Sequence, residues 1–198
     1  VGNRIESILG ILNGTTNFIL TRMIEGQASY AQALSDAQRN GYAEADPSLD
    51  VNGTDAAQKL VLLSDLGFHS TFSLGDAYVE GIEGIDLADV TYAAQLGYTM
   101  KLLAIAKRRN PGADPDEVPG GLELRVHPTL IPFSHPLGNV RDVNNAVLIK
   151  GDATGEVMLY GRGAGMLPTG SAIVADILDA ARGSARQTFT KLQFFQNP

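Results

Sequence analysis

Asp55 and Lys59 stand four residues apart in "TDAAQKLVLLSDLGF", the segment whose apolar spacing most clearly predicts a helix. At that spacing the two side chains share one helical face. A lysine beside a carboxylate can hold or pass a proton when its surroundings tune it, and the apolar run after Lys59 suggests such surroundings. Directly upstream, "GYAEADPSLDVNG" adds Glu44, Asp46 and Asp50 on a stretch stiffened by Pro47. Carboxylates grouped this way suit the binding of an ammonium group. From the residues alone two readings stay open. One is proton chemistry next to a cation-binding loop. The other is a charged helix start whose ion pair stabilises by a few tenths of a kcal/mol.

Other chemistries fit less well. Asp50, Asn52, Gly53 and Asp55 resemble the opening of a calcium-binding loop, but that loop needs a glutamate six residues beyond its glycine, where Lys59 stands. The three histidines, His69, His127 and His135, lack the i, i+4 spacing of a helical metal site and lie near prolines or turns. "GMLPTGSA" does not match the strained serine turn of a hydrolase. The glycine loop "GRGAG", Gly161 to Gly165, falls between a strand and a helix, where backbone amides can approach an anion. It lacks the final glycine of a dinucleotide fingerprint, because Met166 occupies that place, so a tight turn and a ligand contact both remain open.

The elements that must position these residues follow from pattern. "IESILGIL" reads as a buried strand closed by Asn13-Gly14, and Thr15 or Thr16 is expected to cap a helix that stops at Gly26. Ser29 opens a second helix that ends at Gly41. Asn52 or Thr54 is expected to cap the helix carrying Lys59, whose apolar face is Ala56, Leu60, Leu63 and either Leu66 or Phe68. A helix over Leu87 to Leu96 follows. "YTMKLLAIAKRR" fits a strand or a helix by pattern, with strand favoured; "GLELRVHPTLIP", "NAVLIKGD" and "EVMLYGRG" read as strands, the last two joined as a hairpin. Pro168 then sits in the first turn of a last helix. Helices come early and strands cluster later. That order predicts an α+β fold with a mixed, largely antiparallel sheet covered by helices.

Bulk composition narrows the function classes. A net charge of −7 argues against nucleic acid as a partner, and "KRRNPG" is read as a strand end and turn. No cysteine is present, which removes disulfides, thiolate zinc sites and a cysteine nucleophile and suits a cytoplasmic location. No apolar run approaches the roughly 18 residues of a membrane span. The first residues enter a strand almost at once without an initiator Met, so the chain is expected to be a fragment.

The long motif around Lys59 resembles the homoserine dehydrogenase signature: Ala37, Gly41, Tyr42, Ala43, Asp46, Pro47, Asp50, Gly53, Asp55 and Lys59 fill every position. "GILNGTTNFIL", "RVHPTLIPFSHPL" and "LYGRGAGMLPTGSAIVADI" resemble further blocks of that family. The resemblance implies interconversion of L-homoserine and L-aspartate 4-semialdehyde with NADP or NAD, on the route to threonine, methionine and isoleucine. It implies Lys59 and Asp55 as the catalytic pair, Glu44 as the ligand of the substrate ammonium, and Asp50, Tyr42, Gly14 and Thr15 as pocket residues. Gly161, Gly163, Ala164 and Gly165 would lie at the cofactor. The resemblance also implies a sheet related to the C-terminal domain of glyceraldehyde-3-phosphate dehydrogenase, and a homodimer. The family's nucleotide-binding Rossmann domain, which carries a second substrate-contacting lysine, would precede Val1; an ACT domain follows in many members. Neither is in this sequence. Residues 1–183 are therefore expected to be the substrate and dimerisation domain, with 184–198 a tail, and to be inactive without the missing domain. The rival expectation is a dimerisation module that keeps only an interface role.

Overall fold

The computed structural model describes residues 3–109, 121–183 and 193–194. Six strands form one sheet: β1 (Ile5–Ile11), β3 (Tyr78–Val79), β4 (Tyr98–Arg108), β5 (Leu122–Pro132), β6 (Asn144–Gly151) and β7 (Gly155–Arg162), in the order β3-β5-β4-β1-β6-β7. Only the short β3–β5 pair is parallel; β5–β4, β4–β1, β1–β6 and β6–β7 are antiparallel. The mixed, largely antiparallel sheet of the sequence reading is therefore present. A separate two-residue pairing joins β2 (Ser70–Thr71) to β8 (Gln193–Phe194) in parallel. The turn read in "KRRNPG" begins where β4 ends, and most of it lies outside the described residues.

β4 lies centrally, and its side chains from Thr99 to Ala106 are all buried, which is why its sequence is apolar without alternating. On one face Leu102, Ala104 and Ala106 join Ile8, Leu124 and Val126 under α1 (Gly14–Gly26), α2 (Tyr30–Arg39), α4 (Thr54–Phe68) and α5 (Leu87–Gln95). On the other, Ile11, Leu103, Ile105, Ile131 and Leu148 pack with Leu137 and Val140 of the segment that links β5 to β6. The short helix α3 (Ser48–Val51) turns the chain into α4. The remaining helix, α6 (Met166–Arg182), differs from the others: none of its residues is buried, and Met166 is 91% exposed.

Several local expectations change. The cap of α1 is Asn13, not Thr15 or Thr16. Asn13 keeps an extended backbone and its side chain accepts from the Thr16 N–H at 2.9 Å, while both threonines are already inside the helix. The Pro47 stretch is not all loop: Ser48 to Val51 are helical, so Asp50 projects from α3. On α4 the buried face is Ala56, Ala57, Leu60, Ser64 and Phe68, with Leu66 turned out to solvent. Asn52 accepts from the Thr54 N–H at 2.9 Å, and Gly53 occupies the cap position itself. Gly161 and Arg162 belong to β7, so the glycine loop is shorter than the motif and spans Gly163 to Gly165.

Candidate active site

β1 ends at Ile11, and the chain leaves the sheet through Leu12 and Asn13 before α1 begins. The Leu12 carbonyl accepts from Lys59 Nζ at 3.2 Å and from Asn145 Nδ2 at 3.3 Å. Lys59 also donates to Asp55 Oδ2 at 2.6 Å, the i, i+4 pair expected from spacing. The Asn13 amide nitrogen donates to that same Asp55 Oδ2 at 2.9 Å and to Asp50 Oδ1 at 2.6 Å. Asp50, Asp55 and Lys59, predicted from sequence, thus form one connected group, and the residue that connects them is Asn13.

The apolar surroundings expected for Lys59 are not there. Its side chain is 48% exposed and that of Asp55 29%. Leu60 follows it in sequence and is fully buried, but adjacent residues on a helix point about 100° apart. What holds Lys59 is two acceptors, one ionic and one backbone. An ammonium has three N–H donors. Two are engaged among the described residues, which leaves one N–H over.

The upstream segment is tied in through backbone. Thr15 Oγ1 donates to the Tyr42 carbonyl at 2.6 Å, and the Tyr42 ring meets Phe18 edge-on at 5.0 Å between centroids. Glu44 is exposed, and its carboxylate has no ion pair among the described residues. Asp46 is already engaged: its carboxylate accepts the Ser48 N–H at 3.1 Å and the Ser48 hydroxyl at 2.5 Å, which hold it below the usual carboxylate range. Of the three upstream carboxylates, then, Asp46 starts a helix, Asp50 joins the Asn13 group, and Glu44 alone stands free. Among the described residues no cluster of His, Asp and Glu could hold a metal ion.

Gly14 and Gly163 converge on Asn145. A methyl group at Gly163 would sit 2.2 Å from Asn145 Nδ2, and one at Gly14 would sit 2.8 Å from the Val143 carbonyl oxygen and 3.5 Å from Asn145 Oδ1. At Gly14 the obstacle is backbone and close approach requires glycine; at Gly163 it is the Asn145 side chain. Gly161 pairs with Asn145 across the β6–β7 ladder. The two glycine motifs, far apart in sequence, therefore meet at one amide next to the Lys59 acceptor. Asn145 Oδ1 is buried with no hydrogen-bond partner among the described residues. Ala164 lies in the bend beyond, and Gly165, with φ 126°, precedes α6. Sequence reasoning missed Asn13 and Asn145. Asn13 lies inside "GILNGTTNFIL", but its neighbour Gly14 made it read as a turn residue.

A homoserine dehydrogenase family model matches residues 1–178. The chain belongs to the homoserine dehydrogenase family. The homoserine dehydrogenase of Synechocystis sp. is 52% identical over 178 residues, covering 90% of this chain and 40% of the relative. That of Neisseria gonorrhoeae is 49% identical over 180 residues, covering 91% and 39%. A crystal structure of homoserine dehydrogenase from Thiobacillus denitrificans superposes with a TM-score of 0.85 at 47% identity, over 98% of this chain and 43% of that one. A hyperthermophilic archaeal homoserine dehydrogenase in complex with NADPH gives 0.69 at 28% identity, over 92% and 49%. The chain thus spans about 40% of the length of the curated homoserine dehydrogenases it matches.

Proposed function

We propose that this chain is the substrate-binding and catalytic part of a homoserine dehydrogenase, interconverting L-homoserine and L-aspartate 4-semialdehyde in the cytoplasm, on the route to threonine, methionine and isoleucine. The observation that carries the reading is the Lys59 ammonium, held by Asp55 Oδ2 at 2.6 Å and the Leu12 carbonyl at 3.2 Å with one N–H unspent. That N–H is donated to the aldehyde oxygen of the substrate. As the carbon is reduced the oxygen gains negative charge, and Lys59 hands it the proton; in the reverse direction Lys59 takes the proton from the homoserine hydroxyl. Asp55 keeps the ammonium aimed and balances its charge. Glu44, the free carboxylate of the upstream segment, takes the substrate ammonium. Asp50, Tyr42, Gly14 and Thr15 line the amino-acid pocket.

NADPH or NADH, when bound, supplies the hydride. The residues here fit one edge of such a cofactor. Asn145 Oδ1 is an orphaned acceptor of the kind a carboxamide donor completes, and it lies between Gly14 and Gly163. Gly161 has open space where a side chain would stand, and Gly165 leaves the α6 N-terminus without a side-chain cap. Gly161, Gly163, Ala164 and Gly165 would form this contact, with most of the cofactor held by the part of the relatives that this chain does not span.

Exposed Leu159 and Tyr160 on β7, with Ile173, Val174, Ile177 and Leu178 on α6, offer apolar surface for the rest of such an enzyme and for a second subunit. The same surface favours a second reading, a dimerisation module without a working site. Calorimetry with homoserine separates the two. Binding that disappears in Glu44→Ala supports a preformed substrate site, whereas a sedimenting dimer that binds no homoserine supports the module. In the intact enzyme Lys59→Ala should lower turnover by about 10²- to 10⁴-fold with a far smaller change in KM. Near-normal turnover would remove Lys59 from the chemistry.

A further inference from the structure

We infer that Asn13 is a positioning residue for the Lys59 proton donor and couples it to the substrate pocket through Asp50. The inference rests on the site reading above and adds a residue to it. Asn13 is 5% exposed, and all of its side-chain hydrogen-bonding capacity is used. Its oxygen accepts from the Thr16 N–H at 2.9 Å and from the Thr16 hydroxyl at 3.0 Å. Its nitrogen donates to Asp50 at 2.6 Å and Asp55 at 2.9 Å. The amide cannot be turned over. A flip would set its oxygen against two carboxylates and its NH2 against a backbone N–H, so the surroundings select a single orientation.

That orientation matters because the pair it serves is loose by itself. A half-exposed lysine on four flexible bonds is weakly placed by one carboxylate. Asn13 fixes the carboxylate from the buried side. Its donor enters the same oxygen, Asp55 Oδ2, that Lys59 uses. The residue before it, Leu12, gives Lys59 its second acceptor. One rigid dipeptide, clamped between β1 and the α1 cap, therefore determines both contacts that aim the ammonium. The other N–H of the same amide holds Asp50, which lies on α3 next to the proposed pocket. A shift of Asp50 on substrate binding is transmitted to Asp55 through a single planar group.

Two substitutions separate this role from the helix cap. Asp and Ser both cap helices as Asn does, so Asn13→Asp and Asn13→Ser keep the Thr16 contact and the fold. Asn13→Asp turns the donor into a third carboxylate facing two others. In the intact enzyme we expect turnover to fall about 100-fold, the cost of misplacing a reacting group by about an ångström. The acid limb of its pH–rate profile moves to higher pH, because three adjacent carboxylates resist ionising together. Asn13→Ser only deletes the two donations, and about a tenfold loss is expected without that displacement. Thermal melting checks that each variant is folded. Wild-type turnover in folded Asn13→Ser, or an unmoved acid limb in folded Asn13→Asp, overturns the inference. Lys59→Ala in parallel tells which idea fails. If Lys59→Ala is inactive while the Asn13 variants match wild type, only the positioning role falls; if Lys59→Ala is active, the site reading itself falls.

Discussion

Lys59 and Lys101 are both served by asparagines at the start of α1, one helical turn apart, and they are built oppositely. Lys59 is half-exposed, touches a carboxylate, and is reached by Asn13 through that carboxylate. Lys101, on β4, is 2% exposed and touches no carboxylate among the described residues. Its ammonium donates to Asn17 Oδ1 at 3.0 Å and to the Val140 carbonyl at 2.5 Å. Asn17 Nδ2 in turn reaches the carbonyls of Val140, Asp142 and Asn144. Burial pushes the Lys101 ammonium down to about 8 from 10.5, with Arg141 adding to the fall and Glu25 and Asp142 opposing it. Lys101 is thus sealed inside the protein, whereas the lysine in the candidate site keeps an open approach and a counter-ion. A shifted proton affinity therefore does not by itself mark a catalytic group, because a buried structural contact shifts it too.

The comparison can be broken in three places. Asn17→Ala should cost most, about 3 to 5 kcal/mol in urea unfolding, because it leaves the Lys101 ammonium and several carbonyls without their partner. A loss under about 1 kcal/mol would mean that solvent reaches this group freely. Next is the pH dependence of Lys101. Below pH 8 the folded and unfolded chains both hold its proton, and the buried charge costs about 3 kcal/mol. Between 8 and 10.5 the folded state releases the proton first, the unfolded state binds more protons, and stability rises with pH. Relative to Lys101→Met, the wild-type chain should therefore gain about 3 kcal/mol across that window. Parallel stability curves for the two would contradict a buried charge. The smallest effect belongs to the other lysine: Lys59→Ala should change stability by less than about 1 kcal/mol, since its ion pair is solvent-screened. A larger loss would make Lys59 a structural residue.

These contrasts also show what a linear sequence discloses. The hairpin at Asp152 to Gly155, the β4 strand and the Ser29-capped α2 were legible because their signals are local. The Asp55–Lys59 pair was legible for the same reason, being one helical turn long. Asn13 was not, because its two carboxylate partners lie 37 and 42 residues away. Nor was Asn145, whose carbonyl partner is 133 residues away across the β1–β6 pair. Apolar neighbours in sequence point to Lys59, but it is Lys101 that the fold buries. Neighbours in a helix point away from one another, whereas a central strand is buried on both faces, so Lys101 within "YTMKLLAIA" is the one with no way out. The motif spacing pointed to the family, but the contacts that join Asn13 and Asn145 to the motif are set by chain crossings no spacing records.

Asn145 also constrains which changes the chain can accept. A side chain at Gly163 first meets the Asn145 side chain, at 2.2 Å from Nδ2 and 2.9 Å from Cγ. A smaller residue at 145 would clear that space. Gly14 is different, because its obstacle is the Val143 backbone oxygen at 2.8 Å, which no neighbouring substitution removes. A side chain at position 163 therefore requires the Asn145 side chain to move or shrink, whereas one at position 14 requires the backbone to move. In a lineage or a mutant library, 145 and 163 would be inherited as a linked pair, coupled by a gap narrower than a methyl group.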